Sequence, residues 1–332
     1  MTLRFVDSFD HYAAGDLTEK WTANTGAPTL PSNGRRSTKC LSSTGATFTK
    51  TLDAQATWIV GFAFRLANLP SSTQSLIALL DAGTIQTDVR LNQDGTLSVT
   101  RNGTVLGTSA FALSVGNYVY LEFKCFIHDT TGTYEVRVNG SNKVSGSSAD
   151  TKNTANATAN QVKLGSAGLS WDADDLYICD GAGSSNNNFL GDCRVDYYAP
   201  NGAGNSTQLT RGGADSGANW SQVDETPPND DTDYNQSSNV GDIDLYDVTD
   251  MTHTPSSIFG VQLNLNAKKD DAGTRSIAGV VRSGGTNYEG GTQALSTSYV
   301  YYLEVRETDP DTSAAWTKTG VNNAQFGVKV AA

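Results

Sequence analysis

Long apolar runs, basic clusters and helix-forming stretches are all scarce in this 332-residue chain. No run approaches the roughly 18 apolar residues of a spanning helix, so a membrane is not an expected partner. Lys and Arg never gather beyond the pairs Arg35-Arg36 and Lys268-Lys269, and the formal net charge is −12. Nucleic acid and anionic lipid demand clustered cations, so neither is expected as a main partner. Only three histidines occur, His11, His128 and His253, all in polar or turn-like contexts. No G-x-S-x-G elbow is present, and no phosphate-binding glycine loop, which argues against serine nucleophiles and nucleotides. The four cysteines lack C-x-x-C spacing, so zinc is not expected. Cys125 reads as an inert buried thiol. Cys179 and Cys193 bracket a loop and could meet, although a reducing compartment disfavours a disulfide. The opening MTLRFVDSFDHYAAG has no basic segment followed by an apolar one, so no secretory signal is read and synthesis in a cytoplasm is expected.

Charged residues make up 17 % of the chain, against a norm of about 25 %. Small polar residues and 33 glycines fill the difference, a mixture that suits strands and turns. WIVGFAFRL (58–66) alternates Trp58, Val60, Phe62, Phe64 and Leu66 with Ile59, Gly61, Ala63 and Arg65. One face is strongly apolar and the other lighter, as in a half-buried strand. In TDVRLNQDGTLSVTRNGTVLGTS (87–109), Asp94-Gly95 and Asn102-Gly103 sit between alternating runs, the chemistry of tight hairpin turns. NYVYLEFKCFIHD (117–129), TYEVRVNGSNKV (133–144) and DDLYICD (174–180) continue the series. Helix is suggested weakly and only in AAGDLTEKW (13–21). The stretch 196–250 is loaded with turn formers and acids, reading as a linker or long loops. Strands resume in SIFGVQLNLNAKK, RSIAGVVRS, SYVYYLEVRET and FGVKV. The expected fold is all-β: an antiparallel sandwich or barrel over residues 1–195. A turn-rich connection and a second, smaller β-sandwich-like domain follow over 196–332.

FVDSFDHYAAGDLTEKW, VRLNQDGTLSVTRNG, YVYLEFKCFIHDTTGTYEVRVNG and DDLYICDGAGSSNNNFLGDCRV, in that order, resemble a concanavalin A-like or laminin G-like sandwich, which implies an antiparallel β-sandwich of jelly-roll type over residues 1–195. The continuation through FLGDCRVDYYAP, NWSQVDETPPNDDTDYNQSSNVGDIDLYDV and DPDTSAAWTKTGVNNAQFGVKV resembles tailed-bacteriophage virion proteins. That resemblance implies a non-enzymatic structural component of the virion, a capsid decoration or cement protein or a tail-associated one. It would act by multivalent assembly with other virion proteins, as a homo-oligomer. A tail protein that binds a host-surface glycan is the alternative, and a polysaccharide-degrading glycoside hydrolase a remote one. No cofactor is required. Laminin G-like domains can hold Ca²⁺ at the sandwich rim, and Asp172, Asp174 and Asp175 would supply its oxygens.

Lectin-like sandwiches stack exposed aromatics on sugar rings; Trp171, Trp220 and Tyr234 lie beside polar loop residues and are the glycan candidates, although a Trp near a strand end is usually core. No catalytic residue is assigned. The remote carboxylate candidates are Asp242 and Asp244 of GDIDLYDV (241–248). Period-two geometry places them on one face and Asp247 on the other. A wet-faced strand is expected there, with Ile243 and Leu245 inward and Asp242 and Asp244 solvated or pairing a neighbour.

Overall fold

The computed structural model describes residues 2–36, 38–213 and 217–332. They form two compact units, Met1–Asp196 and Tyr197–Ala332. Among the described residues almost all regular structure is antiparallel strand, and no barrel is closed.

Two seven-stranded sheets build the first unit. One orders Leu3–Asp7, Ser170–Asp180, Thr57–Leu66, Tyr118–Phe126, Gly132–Val138 and Ser141–Ala149, with Leu41–Thr44 also on Ser170–Asp180. The other orders Ala23–Thr25, Thr47–Gln55, Ala159–Leu164, Gln74–Asp81, Thr84–Leu91, Thr96–Arg101 and Thr104–Ala112. The hairpin turns fall where the glycines put them: Gly95, Asn102 and Gly103 all take positive φ, as tight turns require. Trp58, Val60, Phe62 and Phe64 on the central strand are buried, with Leu121, Phe123, Val136, Trp171 and Ile178 from neighbouring strands. These apolar faces close on the second sheet's Ile77, Leu79, Val89, Leu97, Val99 and Val162, also buried, which is the sandwich core.

One expectation fails on that central strand. Its lighter face is not solvated: Ile59, Gly61 and Ala63 are buried too. Segments without strands, 31–36 with 38–40 and 181–196, lie over it through contacts to Asp174, Asp175, Tyr177 and Glu122. Period-two patterning reports which residues share a face, not whether irregular chain later covers it.

In the second unit a sheet orders Pro200–Thr207, Ile243–Val248, Gln325–Val330, Ser276–Ser283 and Thr286–Glu289, with Gln293–Ala294 on Ser276–Ser283. Thr210–Gly213 pairs with Asp233–Gln236, and Val261–Ala267 with Val300–Arg306. Met251, Val281, Trp316, Val321 and Phe326 form its core, with Val261 and Leu263 packed against them. The stretch 196–250 is therefore not simply linker or loop. PNGAGNST forms an edge strand without any apolar alternation, its backbone pairing with Ile243–Val248 supplying what its side chains do not. The short helix Lys318–Asn323 also escapes the pattern. It is set by Thr317, whose hydroxyl accepts from Gly320 N at 3.0 Å, an N-cap bond.

Candidate functional site

The lighter face of the central strand carries a dense set of polar and ionisable side chains. Opposite Arg65, Ala63, Gly61 and Ile59 stand Tyr118, Tyr120, Glu122 and Lys124 on one side. On the other stand Asp172, Asp174, Tyr177 and Cys179. Directly opposed residues share a face, so these side chains make one polar floor. The closing strand reaches it by a bulge. Asp174 opposes Ala63 but Tyr177 opposes Gly61, three steps against two. The extra residue restores the alternation, so Leu176 and Ile178 stay in the core while Tyr177 joins the floor. Asp175 sits at the bulge with φ 52°, a left-handed conformation that Asp tolerates better than most residues. Gly61 leaves room for the Tyr177 ring, which occupies the space a Cβ would need.

Hydrogen bonds knit the floor together. Tyr177 Oη donates to Glu122 Oε1 at 2.5 Å, and Gly191 N donates to the same oxygen at 2.9 Å. Glu122 is fully buried, and its Oε2 has no protein partner among the described residues. Tyr120 and Tyr177 stack with centroids 6.4 Å apart, and Tyr120 Oη donates to Asp175 O at 3.0 Å. Arg65 donates to Asp172 from Nε at 2.7 Å while lying 4.7 Å over the Tyr118 ring.

At one end the floor meets a cluster of carboxyls and arginines. Asp174 accepts from Arg35 N and from Asp175 N, each at 2.8 Å. Asp175 pairs with Arg36 and accepts from Val195 N at 2.8 Å. Arg35 pairs with Asp192 and lies 5.5 Å over Tyr120. Asp10 accepts from Lys39 N at 2.8 Å. Burial raises the Asp174 carboxyl to about 7, helped by the negative charge of Asp175. Burial likewise raises Asp10 to about 6 against two hydrogen bonds that lower it. Asp175 is also raised by burial. The cluster reaches solvent through half-buried Asp10 and Arg36 and exposed Asp192. Asp174 and Asp10 are thus two carboxyls of one cluster that burial raises well above the ordinary carboxylate range.

The structure separates the residues singled out in the sequence. Asp172, Asp174 and Asp175 lie on the sheet face and not at the rim. Two of them are paired with arginine and the third holds its proton to about 7, an environment that opposes a dication. Among the described residues no group of three acidic, His or Cys side chains could hold a metal. Trp171 is 1 % exposed, packed against Phe48, Phe62 and Phe64, so it cannot stack on a sugar. Trp220 and Tyr234 are half-buried in the second unit, Trp220 in the turn Asn219–Gln222 and Tyr234 with its ring against Gly212. Asp242 lies in a turn, accepting from Ser237 Oγ at 2.6 Å. Asp244 is not solvated: it is fully buried. It accepts from Gln208 N at 2.6 Å, Leu209 N at 2.8 Å, Asn219 Nδ2 at 2.6 Å and Tyr246 Oη at 3.1 Å. Four donors explain the buried carboxylate without any catalytic role. All four cysteines are free thiols.

Sequence reasoning missed Asp10, Tyr120, Glu122 and Tyr177. The one signal was the light face of a strand whose neighbours carry Tyr and Glu at the matching phase.

No protein-family model and no curated protein matches this sequence. Among solved structures, a mutant of Trypanosoma rangeli sialidase displaying trans-sialidase activity is similar at 11 % identity and TM-score 0.36, over 46 % of this chain and 27 % of that one. Another sialidase is similar at 13 % and 0.34, over 42 % of this chain and 15 % of that one. The alginate lyase Aly36B is similar at 9 % and 0.38, over 52 % of this chain and 91 % of that one. The chain thus spans about a quarter or less of the sialidases it resembles. These neighbours are glycan-processing enzymes, and nothing in the comparisons indicates a phage origin. They overturn the expectation of a non-enzymatic phage structural component. At such TM-scores the likeness assigns neither activity nor substrate to this chain. Among the described residues no helix is long and apolar enough to cross a membrane.

Proposed function

We propose that the first unit processes a glycan on the polar face of its first sheet, with Asp174 and Asp10 as the acid–base pair. The observation that carries this reading is the pair itself. Burial raises two carboxyls of one cluster, Asp174 to about 7 and Asp10 to about 6, beside a floor of Tyr118, Tyr120, Tyr177 and Arg65. Cleavage of a glycosidic link needs a proton delivered to the departing sugar oxygen, and a carboxyl that keeps its proton to neutrality can deliver it. Asp174, with the higher value, is the acid; Asp10, nearer solvent, is the base. Tyr118 and Arg65, the half-buried members of the floor, complement a sugar ring and its hydroxyl or carboxylate groups, whereas Tyr120 and Tyr177 are buried.

The test is a panel of neutral, uronate-containing and sialylated polysaccharides, read by new reducing ends and by the ultraviolet absorbance of unsaturated uronates. Asp174→Asn is expected to lower turnover by at least about 100-fold, as loss of a general acid does. The variant must retain its circular dichroism spectrum. Full turnover in that variant, or no cleavage anywhere in the panel, removes the reading.

The setting of this domain is a separate proposal resting on motif order alone. We place the chain in a tailed-phage particle, made in the host cytoplasm and present in many copies beside other virion proteins. Peptide mass spectrometry of purified particles tests it, and absence of this chain from them removes it.

A further inference from the structure

The polar floor is roofed by residues 181–196, and the roof is held in an unusual way. No helix or strand occurs in this segment. Of its sixteen positions only Cys193 is buried; the others are half-buried or exposed. Apolar burial therefore does little to hold it. What holds it is a row of polar contacts to the sheet and its flank. Lys124 Nζ donates to Asn188 Oδ1 at 3.1 Å and to Asn187 O at 3.3 Å. Arg137 lies 4.1 Å over the Phe189 ring. Leu190 N donates to Tyr177 Oη at 3.2 Å, Gly191 N to Glu122, and Val195 N to Asp175. Asp192 is paired with Arg35. Contacts of this kind exchange readily for water, so a segment with little buried surface opens at a lower free energy than the strands beneath it.

A second observation points to a ligand. Glu122 lies beneath this roof, fully buried, with Oε1 accepting two hydrogen bonds and Oε2 without a protein partner among the described residues. A purely structural roof would be better served by an apolar floor, because a buried acceptor left unpaired costs stability. A hydroxyl-rich ligand supplies the donors that Oε2 lacks.

We propose that residues 181–196 are a lid that opens locally, without unfolding of the sandwich, and admits the saccharide to Glu122, Tyr177 and Tyr120. This rests on the glycan-processing reading: the floor under the lid continues the Asp10–Asp174 site, with Tyr120 reaching to Asp175. Glu122 is a positioning residue for Tyr177, and its free oxygen receives a sugar hydroxyl.

The molecule carries its own probe. Cys193 sits in the lid, 9 % exposed, whereas Cys125 and Cys179 are 0 % exposed in the strands Tyr118–Phe126 and Ser170–Asp180. Full-length protein is treated with a thiol reagent under native conditions, and each cysteine is followed by peptide mass spectrometry. Cys193 is expected to label at least about tenfold faster than Cys125, with little dependence on denaturant. Asp192→Asn, which loosens the clamp to Arg35, is expected to speed Cys193 several-fold and leave Cys125 unchanged. Labelling of Cys193 at the rate of Cys125, with the same denaturant dependence, overturns the lid whatever the polysaccharide panel shows. Fast labelling with no turnover in the panel keeps the lid and overturns the glycan as its ligand.

Discussion

At the scale of single residues, buried carboxylates decide most of what is distinctive here, and they are satisfied in two ways. Asp7 accepts from Phe9 N, Tyr12 Oη, Lys20 Nζ and Trp21 Nε1 at 2.7 to 3.0 Å. That ties residues 9–21 to the first strand of the sheet. Lys20 is itself buried, and burial lowers its pKa against the raising effect of Asp7. Asp7→Ala leaves that cation without its partner, so a loss of about 3–5 kcal/mol is expected in chemical denaturation. Asp174 is the opposite case, kept by burial from ionising below about 7. Its folded pKa lies above its unfolded value of 3.8, so the folded state holds the proton that the unfolded state has lost. The contribution to stability is full below 3.8 and declines as pH rises to about 7, by at most about 1.4 kcal/mol per pH unit for one group. Asp174→Asn is expected to flatten that decline. An unchanged slope in urea titrations across this interval would show that the carboxyl is not held protonated.

Elements are set by their ends and irregularities as much as by their patterns. The closing strand Ser170–Asp180 depends on its bulge, which hands Tyr177 to the polar face and leaves Leu176 in the core. The space that Tyr177 fills exists because Gly61 has no side chain. Gly61→Ala must displace that ring and break the Tyr177–Glu122 bond, so a cost of about 1–3 kcal/mol is expected. If stability is unaltered and the bond persists in a crystal structure, the close packing is not required. In the second unit, the cap on Lys318–Asn323 is a single hydroxyl. Thr317→Ala should lower the stability of that unit by about 1 kcal/mol, read as a shift in its thermal transition.

For the whole molecule, two units with separate cores imply two cooperative transitions rather than one. Calorimetry of the full chain is expected to resolve them. Asp7→Ala should lower only the transition of the first unit. Asp244→Ala, which strips four hydrogen bonds of their acceptor, should lower only that of the second, by about 2–5 kcal/mol. A single transition shifted by either variant would show that the units fold together.

The chain by itself determined its class and much of its core. Alternation in WIVGFAFRL and YLEFKCFI, and glycine at the hairpin turns, follow from period-two geometry and from the backbone angles glycine allows. The strands of the second unit at Ser276–Ser283 and Val300–Arg306 are legible for the same reason. Local pattern cannot show which strand pairs with which, because pairing joins residues far apart in sequence. Only the tertiary structure brought Tyr120, Glu122, Asp174 and Tyr177 onto one floor and laid residues 181–196 over it. The same limit accounts for Asp244, which alternation places on a wet face until Gln208, Leu209 and Asn219 close over it. It accounts for Asp10 and Asp174 as well, since the burial that shifts a carboxyl is supplied by distant chain.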